Sequence, residues 1–217
     1  MVEHRTRVLL FRHAETSDPT VFHGAESDIG LGLRGERQAE RLAAYLATRK
    51  PDVLVCSAMR RARDTAAPVA VACGLTPEIE PELHERQLGG LSGLPSGDRS
   101  GPWMQTVQRW MQGDTAFSLL GAESFDEVRE RVVGAWNRVT QRHAGKTIAI
   151  IAHGAVIKVL LLSIVPTHSP ADWMRLGAIH NVTLHELVPA GELPEGGWIL
   201  ERFNERVIAE GQSSPDF

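Results

Sequence analysis

The chain has 217 residues, 42% hydrophobic and 23% charged, with a formal net charge of −4. That length can bury one good core with a small insertion, and the charge gives no support for general nucleic-acid binding. Its two cysteines make neither a disulfide framework nor a metal-ligand spacing, and its longest strongly apolar stretch, 156–165 with Lys158 inside it, is too short to span a bilayer.

Residues 1–7 lack the apolar segment of a secretory signal, so a soluble cytoplasmic protein is expected, without a membrane partner. Val8-Leu9-Leu10-Phe11 reads as a buried strand, and Arg12-His13-Ala14-Glu15-Thr16 follow where it ends. Ala39, Leu42, Ala43 and Leu46 repeat at the spacing of a helix with one apolar face. Val53-Leu54-Val55-Cys56 is a second strand, and Ser57 can cap the helix after it, whose inward stripe is Met59, Ala62, Ala66, Val69 and Ala70 and whose stop is Gly74. Cys56 reads as a small core residue.

From Gly89 to Gly121 the chain is glycine-rich, with a polar patch at 96–101, and Trp103, Val107, Trp110 and Met111 fall at helical spacing. This is an excursion of about 89–121 folding back like a lid over a single domain of 1–210. Packing is the simpler use of the tryptophans, lining a substrate entrance the other. Ser124 and Glu127 spell a capping box for a helix burying Phe125, Val128, Val132, Trp136 and Val139. Ile148-Ala149-Ile150-Ile151-Ala152 is a strand ending at His153-Gly154, and an apolar helix follows from Val156. Residues 182–188 and 198–203 read as two late strands paired around a turn, and 211–217 as a polar C-terminal tail. Alternating strands and helices predict an α/β fold with a mostly parallel sheet covered on both faces.

Two histidines at strand ends with arginines nearby suit a phosphoryl group. Such a group carries charge on its equatorial oxygens, and the planar fork of arginine pairs with two oxygens at once. Arg12 and Arg61 are the candidates, Arg61 in a helix's first turn, which favours anions. His13 is the candidate nucleophile, forming a phosphohistidine, with His153 holding the phosphoryl oxygens from the other side. Glu85 can protonate the leaving oxygen if its surroundings favour the acid form. Taken singly, each has a plainer reading as a hydrogen-bonded surface group. His4, His84 and His143 ask for no more than a surface role, and His23 and His180 are weaker site candidates. No histidine spacing asks for a metal.

Together these motifs resemble the histidine phosphatase superfamily, also called phosphoglycerate mutase-like. Arg12-His13-Ala14-Glu15-Thr16 is similar to its R-H-G-E-T. Ser57, Arg61, Ala62, Thr65 and Ala66 are similar to its S-x-x-x-R-A-x-x-T-A, Glu85, Gly89 and Gly93 to its acid block, and His153-Gly154 to its final H-G. Asp28, Gly35, Gln38, Ala39 and Gly121-Ala122-Glu123-Ser124 resemble intermediate signals. The resemblance implies a three-layer α/β/α sandwich and His13 as phosphorylated nucleophile. It also implies Arg12, Arg61 and His153 as the phosphate pocket, Glu85 as proton donor, and neither metal nor diffusible cofactor. Thr16, His23, Gly24 and Gly154 join the substrate-binding candidates.

Ala14 stands for the usual glycine, and Leu31-Gly32-Leu33-Arg34-Gly35 lacks the usual L-T. Pro19 stands where many members have a phosphate-binding Asn, a contact that Thr16, His23 or a backbone N–H would have to replace. A phosphatase acting on a small phosphorylated metabolite is expected. A mutase is the alternative, favoured by the spelling Glu85-Arg86. A low-activity phosphate-binding regulatory module is the third reading.

Overall fold

The computed structural model describes residues 5–95, 101–191 and 197–207. Among these, six strands form one sheet in the order β3-β2-β4-β1-β5-β6: β1 (Arg7–Arg12), β2 (Val53–Ser57), β3 (Glu78–Glu80), β4 (Thr147–Ala152), β5 (Thr183–Pro189) and β6 (Trp198–Arg206). The first four pair in parallel, whereas β5 is antiparallel to both β1 and β6. The helices are α1 (Leu33–Arg49), α2 (Arg60–Cys73), α3 (Pro102–Met111), α4 (Phe125–Arg142) and α5 (Gly154–Ile164).

Successive strand residues point to opposite faces, so a strand covered on both sides must be apolar throughout. β1 obeys this. Leu9 and Phe11 pack with Leu42 and Leu46 of α1 and Ala62 and Val69 of α2. Val8 and Leu10 pack with Val132 and Trp136 of α4 and Leu160 of α5. The result is the expected three-layer α/β/α arrangement. On the second face, α3 places Val107 and Trp110 in the core, and Trp103 packs half-buried at its edge.

Local signals set most helix ends. Gly74 takes a left-handed φ of 67° and closes α2. At the start of α4 the Ser124 hydroxyl accepts the Glu127 N–H, and the Glu127 carboxylate accepts the Ser124 N–H. The start of α2 differs from the sequence expectation. Met59 is its N-cap residue, without a side-chain cap, and Asp28 Oδ1 accepts the Arg60 N–H at 2.6 Å. Ser57 is wholly buried, and its hydroxyl meets His153 while also accepting the Met59 N–H at 3.3 Å just ahead of the helix. β3 was not expected, because three residues are too few to carry a periodicity. The tail at 211–217, most of the patch at 96–101 and most of the turn between the late strands lie outside the described residues.

Candidate active site

β1 and β4 are neighbours with Arg12 level with Ala152. The next residues, His13 and His153, therefore emerge side by side at the carboxyl edge of the parallel strands, where open α/β sheets bind ligands. Their ring centroids are 5.0 Å apart. A cavity of about 460 Å³ opens here, with Arg12, His13, Arg61 and Glu85 on its floor and Trp103 and Trp173 on its wall.

His13 Nδ1 lies 2.7 Å from Ala14 O. A carbonyl only accepts, so Nδ1 donates its proton and Nε2 keeps its lone pair. Burial first, then the charges of Arg12 and Arg61, holds this imidazole well below its ordinary pKa of 6.5. The ring is thus neutral near pH 7. Residues from the intermediate motifs fix the loop beneath it. Thr65 Oγ1 accepts Ala14 N–H at 3.0 Å, and Gln38 Oε1 accepts Glu15 N–H at 2.8 Å. A Cβ at Gly35 would fall 1.9 Å from Glu15 O, so only glycine lets α1 approach this closely.

Arg61 is buried and carries four hydrogen bonds: Nε to His153 Nδ1 at 3.2 Å, Nη1 to Ser27 O at 2.7 Å, and Nη2 to His23 O and Gly24 O at 3.3 Å each. Since Arg61 can only donate, His153 Nδ1 accepts, and Nε2 carries the proton that goes to Ser57 Oγ at 2.8 Å. Both nitrogens of His153 are therefore engaged, and the ring sits behind the cavity, not on its lining. This differs from the direct phosphoryl contact expected of it. Burial, then His13, Arg61 and Arg12, lowers its pKa well below 6.5. Arg12 is less occupied: Nη1 donates to Ile179 O at 2.7 Å, and its buried Nε has no hydrogen-bond partner. Burial lowers its pKa, opposed by Glu85 and Glu15. Arg12 lies over the start of α5, where a Cβ at Gly154 would make ordinary van der Waals contact with its Nε at 3.4 Å.

Glu85 is held on the floor by N–H groups of Arg86, Ala155 and Val156 at 2.9–3.4 Å, the last two from the first turn of α5. Arg131 of α4 clamps the loop that carries it. Its guanidinium donates to Glu82 O, His84 O and Glu85 O and makes a bidentate pair with Glu123 at 2.8 and 2.9 Å. That pairing gives the motif residue Glu123 its use.

Of the other candidates, Thr16 and His23 line the cavity, but Thr16 Oγ1 donates to Asp18 O, and both His23 nitrogens are engaged, by Ser27 Oγ and Asp18 O. Pro19 also lines the cavity. Gly24 does not, and acts through its carbonyl on Arg61. His180 is exposed and off the cavity. His143 is not a surface group: it is buried and 3.0 Å from Glu78. Cys56 is buried, and burial pushes its thiol up to about 11, which suits core packing and not nucleophilic attack. Among the described residues no three His, Cys, Asp or Glu side chains gather as a metal site, and no helix is long and apolar enough to cross a membrane.

Sequence reasoning gave no site role to several polar residues that line the cavity. Asn181 Nδ2 donates to His13 O at 2.8 Å, and the next residue, Val182, takes φ 49°, strained for a β-branched side chain. Arg86 and Lys158 also line the cavity. The advance signals were the mutase-like spelling Glu85-Arg86 and a lysine inside an apolar helix.

A family model described as the histidine phosphatase superfamily (branch 1) matches residues 8–206. A metal-independent phosphoserine phosphatase of Arabidopsis thaliana is 28% identical over 213 residues, covering 92% of this chain and 82% of its own. A bifunctional protein of Mycobacterium tuberculosis is 35% identical over 159 residues, 72% of this chain, and the chain spans only 43% of that relative's length. The native structure of a mycobacterial glucosyl-3-phosphoglycerate phosphatase aligns with a TM-score of 0.80 at 26% identity, covering 93% of this chain and 99% of the other. With its motifs gathered at one sheet edge and the match running through β1 to β6, the chain belongs to the histidine phosphatase superfamily.

Proposed function

We propose that this chain hydrolyses a phosphomonoester of a small metabolite through a phosphohistidine on His13, without a metal ion. One observation carries the reading: His13 is neutral, with its Nδ1 proton committed to Ala14 O, beside two arginines. Its Nε2 lone pair attacks phosphorus, and the ester P–O bond breaks. Arg12, and Arg61 in the posture that His153 gives it, meet the charge on the equatorial oxygens. Glu85 passes a proton to the leaving oxygen, then takes one from the water that attacks the phosphohistidine, and inorganic phosphate leaves. The phosphatase names of the relatives support the same reaction class. Helix α3, within the segment 89–121, serves as part of the cover of the site, since Trp103 and Met104 line the cavity.

The test is p-nitrophenyl phosphate in EDTA. The wild type should turn over and trap acid-labile phosphate, and His13→Ala should lose the label and about 10⁴-fold or more of kcat. No turnover there, or on a panel of sugar phosphates and phosphoglycerates, would leave only a regulatory phosphate-binding module. A mutase draws on the Glu85-Arg86 pair, and primer-dependent interconversion of phosphoglycerates would establish it over hydrolysis.

A further inference from the structure

The turn at 177–182, which leads into β5, is built against local preference. Val182 takes φ 49°, a left-handed conformation that a β-branched side chain disfavours and an asparagine tolerates. Asn181 stands one position earlier and has no positive φ. A turn that served connection alone would have the two residues exchanged. As they stand, Val182 is buried in the core beside Phe11 and Leu184, and Asn181 lines the cavity with its Nδ2 donating to His13 O at 2.8 Å. Backbone strain kept at such a place is held for the contact it delivers.

That contact completes a clamp. Val182 N–H donates to Arg12 O at 3.0 Å, His13 N–H to Ala152 O at 2.9 Å, and Ala14 N–H to Thr65 Oγ1 at 3.0 Å. With the Asn181 bond, the peptide joining His13 to Ala14 is fixed at both its carbonyl and its N–H. The His13 ring spends its Nδ1 proton on the next carbonyl, Ala14 O. Rotation of the 13–14 peptide would carry that acceptor away from the ring. The turn is itself tied down. Lys158 Nζ donates to Gly177 O and Arg12 Nη1 to Ile179 O. Asn204 of β6 donates from Nδ2 to Ala178 O at 2.8 Å and accepts at Oδ1 from His180 N–H at 3.1 Å and Thr183 Oγ1 at 2.7 Å. Asn204 has a φ of 51°, which asparagine accommodates. Arg202 and Glu205 on either side of it pair with Glu186 and Leu184, so the ladder holds its backbone and leaves its side chain to the turn. Resting on the phosphohistidine reading of His13, we propose that Asn181 is a positioning residue of the nucleophile. It fixes the His13–Ala14 peptide so that Nδ1 stays on Ala14 O and Nε2 stays aimed at phosphorus, and Asn204 acts on His13 from β6 through the same turn.

The test separates attack from binding. In a single turnover of p-nitrophenyl phosphate, Asn181→Ala should slow p-nitrophenol release by about 10–100-fold, while the calorimetric Kd for inorganic phosphate stays within about twofold, because Arg12 and Arg61 are untouched. Asn204→Gly keeps the left-handed backbone and removes only the side chain. It should slow release by roughly three- to tenfold, and it decides the matter if Asn181→Ala does not fold. The double variant should lose no more than Asn181→Ala alone, since both act by one route. Histidine ring ¹⁵N signals, assigned by comparison with His13→Ala, should show the proton of His13 on Nδ1 in the wild type and shared between the two nitrogens in Asn181→Ala. Release within twofold of wild type in a folded variant, or rate and phosphate affinity falling together, overturns the proposal. If the wild type turns nothing over, the phosphohistidine reading falls by itself, and the ring signals alone decide whether Asn181 orients His13.

Discussion

At the floor of the cavity and just behind it, His13, His153 and Ser57 stand at the ends of β1, β4 and β2, and Arg61 leaves the first turn of α2. At the wall, Arg86 comes from a loop, Trp103 from a ten-residue helix and Trp173 from the end of a single 3-10 turn. The floor is held by directional bonds: Arg61 alone makes four, and His153 spends both nitrogens on its neighbours. The wall is held by rings and cations in contact, with two guanidinium nitrogens unpartnered. Directional bonds fix groups to a fraction of an ångström, as charge stabilisation demands, whereas stacked contacts can shift to fit a substrate body. Constant chemistry thus sits on regular structure, and selectivity on the irregular segment.

The severest break expected is at the floor. Arg12→Gln removes the guanidinium with the most unused donors there, and kcat/KM on p-nitrophenyl phosphate should fall about 10²–10³-fold. A loss below tenfold with an intact fold would mean that Arg12 serves packing. The joint between floor and wall comes next. Arg131 and Glu123 are 10% and 15% exposed, so Arg131→Gln should lower stability by about 2–4 kcal/mol in urea. The same guanidinium fixes the Glu85 loop, so kcat should drop further on alkyl phosphates than on p-nitrophenyl phosphate, whose leaving group needs little protonation. Equal drops would separate the clamp from the acid. The third break asks how His153 acts. His153→Phe should cost about 10–100-fold, the usual scale for a group that orients another. Added to Arg61→Gln it should cost nothing more, whereas additive losses would give His153 a phosphoryl contact of its own.

The floor was legible because its residues are tied to elements with strong periodicity. An apolar run dates the end of β1 or β4 to the residue, so Arg12-His13 and His153 could be placed before any coordinates. What sequence could not supply was the partner of each polar atom. Ser57 at a strand end reads equally well as a helix cap or a histidine's acceptor, and the local rule favoured the cap. The fold uses both: the hydroxyl accepts the Met59 N–H ahead of α2, and because β2 lies beside β4 it also meets His153. The tautomer of His153 follows from Arg61, which can only donate to Nδ1 and so leaves the ring proton on Nε2 for Ser57. The wall was nearly illegible. Nothing in a glycine-rich stretch says that Arg86 turns under Trp103 and Trp110, contacts between residues 17 and 24 positions apart. Lys158 was the exception, conspicuous as one charge in an otherwise apolar helix.

Acid is the mildest break, and it acts on one region only. Burial, reinforced by Arg12 and Arg61, keeps His13 neutral, and burial with the same cations and His13 keeps His153 neutral. Behind them on β5, burial alone takes His185 down to about 3. In the unfolded chain each imidazole returns to the ordinary value of 6.5. Between 6.5 and its folded value, the unfolded state therefore binds the extra proton. Stability that is full at pH 7 is lost as pH falls through this window, at about 1.4 kcal/mol per pH unit for each histidine. His185 isolates the effect, because its ring packs at 5.2 Å from Phe203 and accepts the Asn204 N–H, away from the cavity lining. His185→Leu should flatten the dependence of unfolding free energy between pH 6 and 4 by that single increment, with kcat at pH 7 unchanged. An unaltered slope would mean that His185 finds a proton acceptor in the folded state and would leave His13 and His153 as the acid-sensitive pair. Arg86, which burial lowers only to about 10, keeps its charge across the whole range.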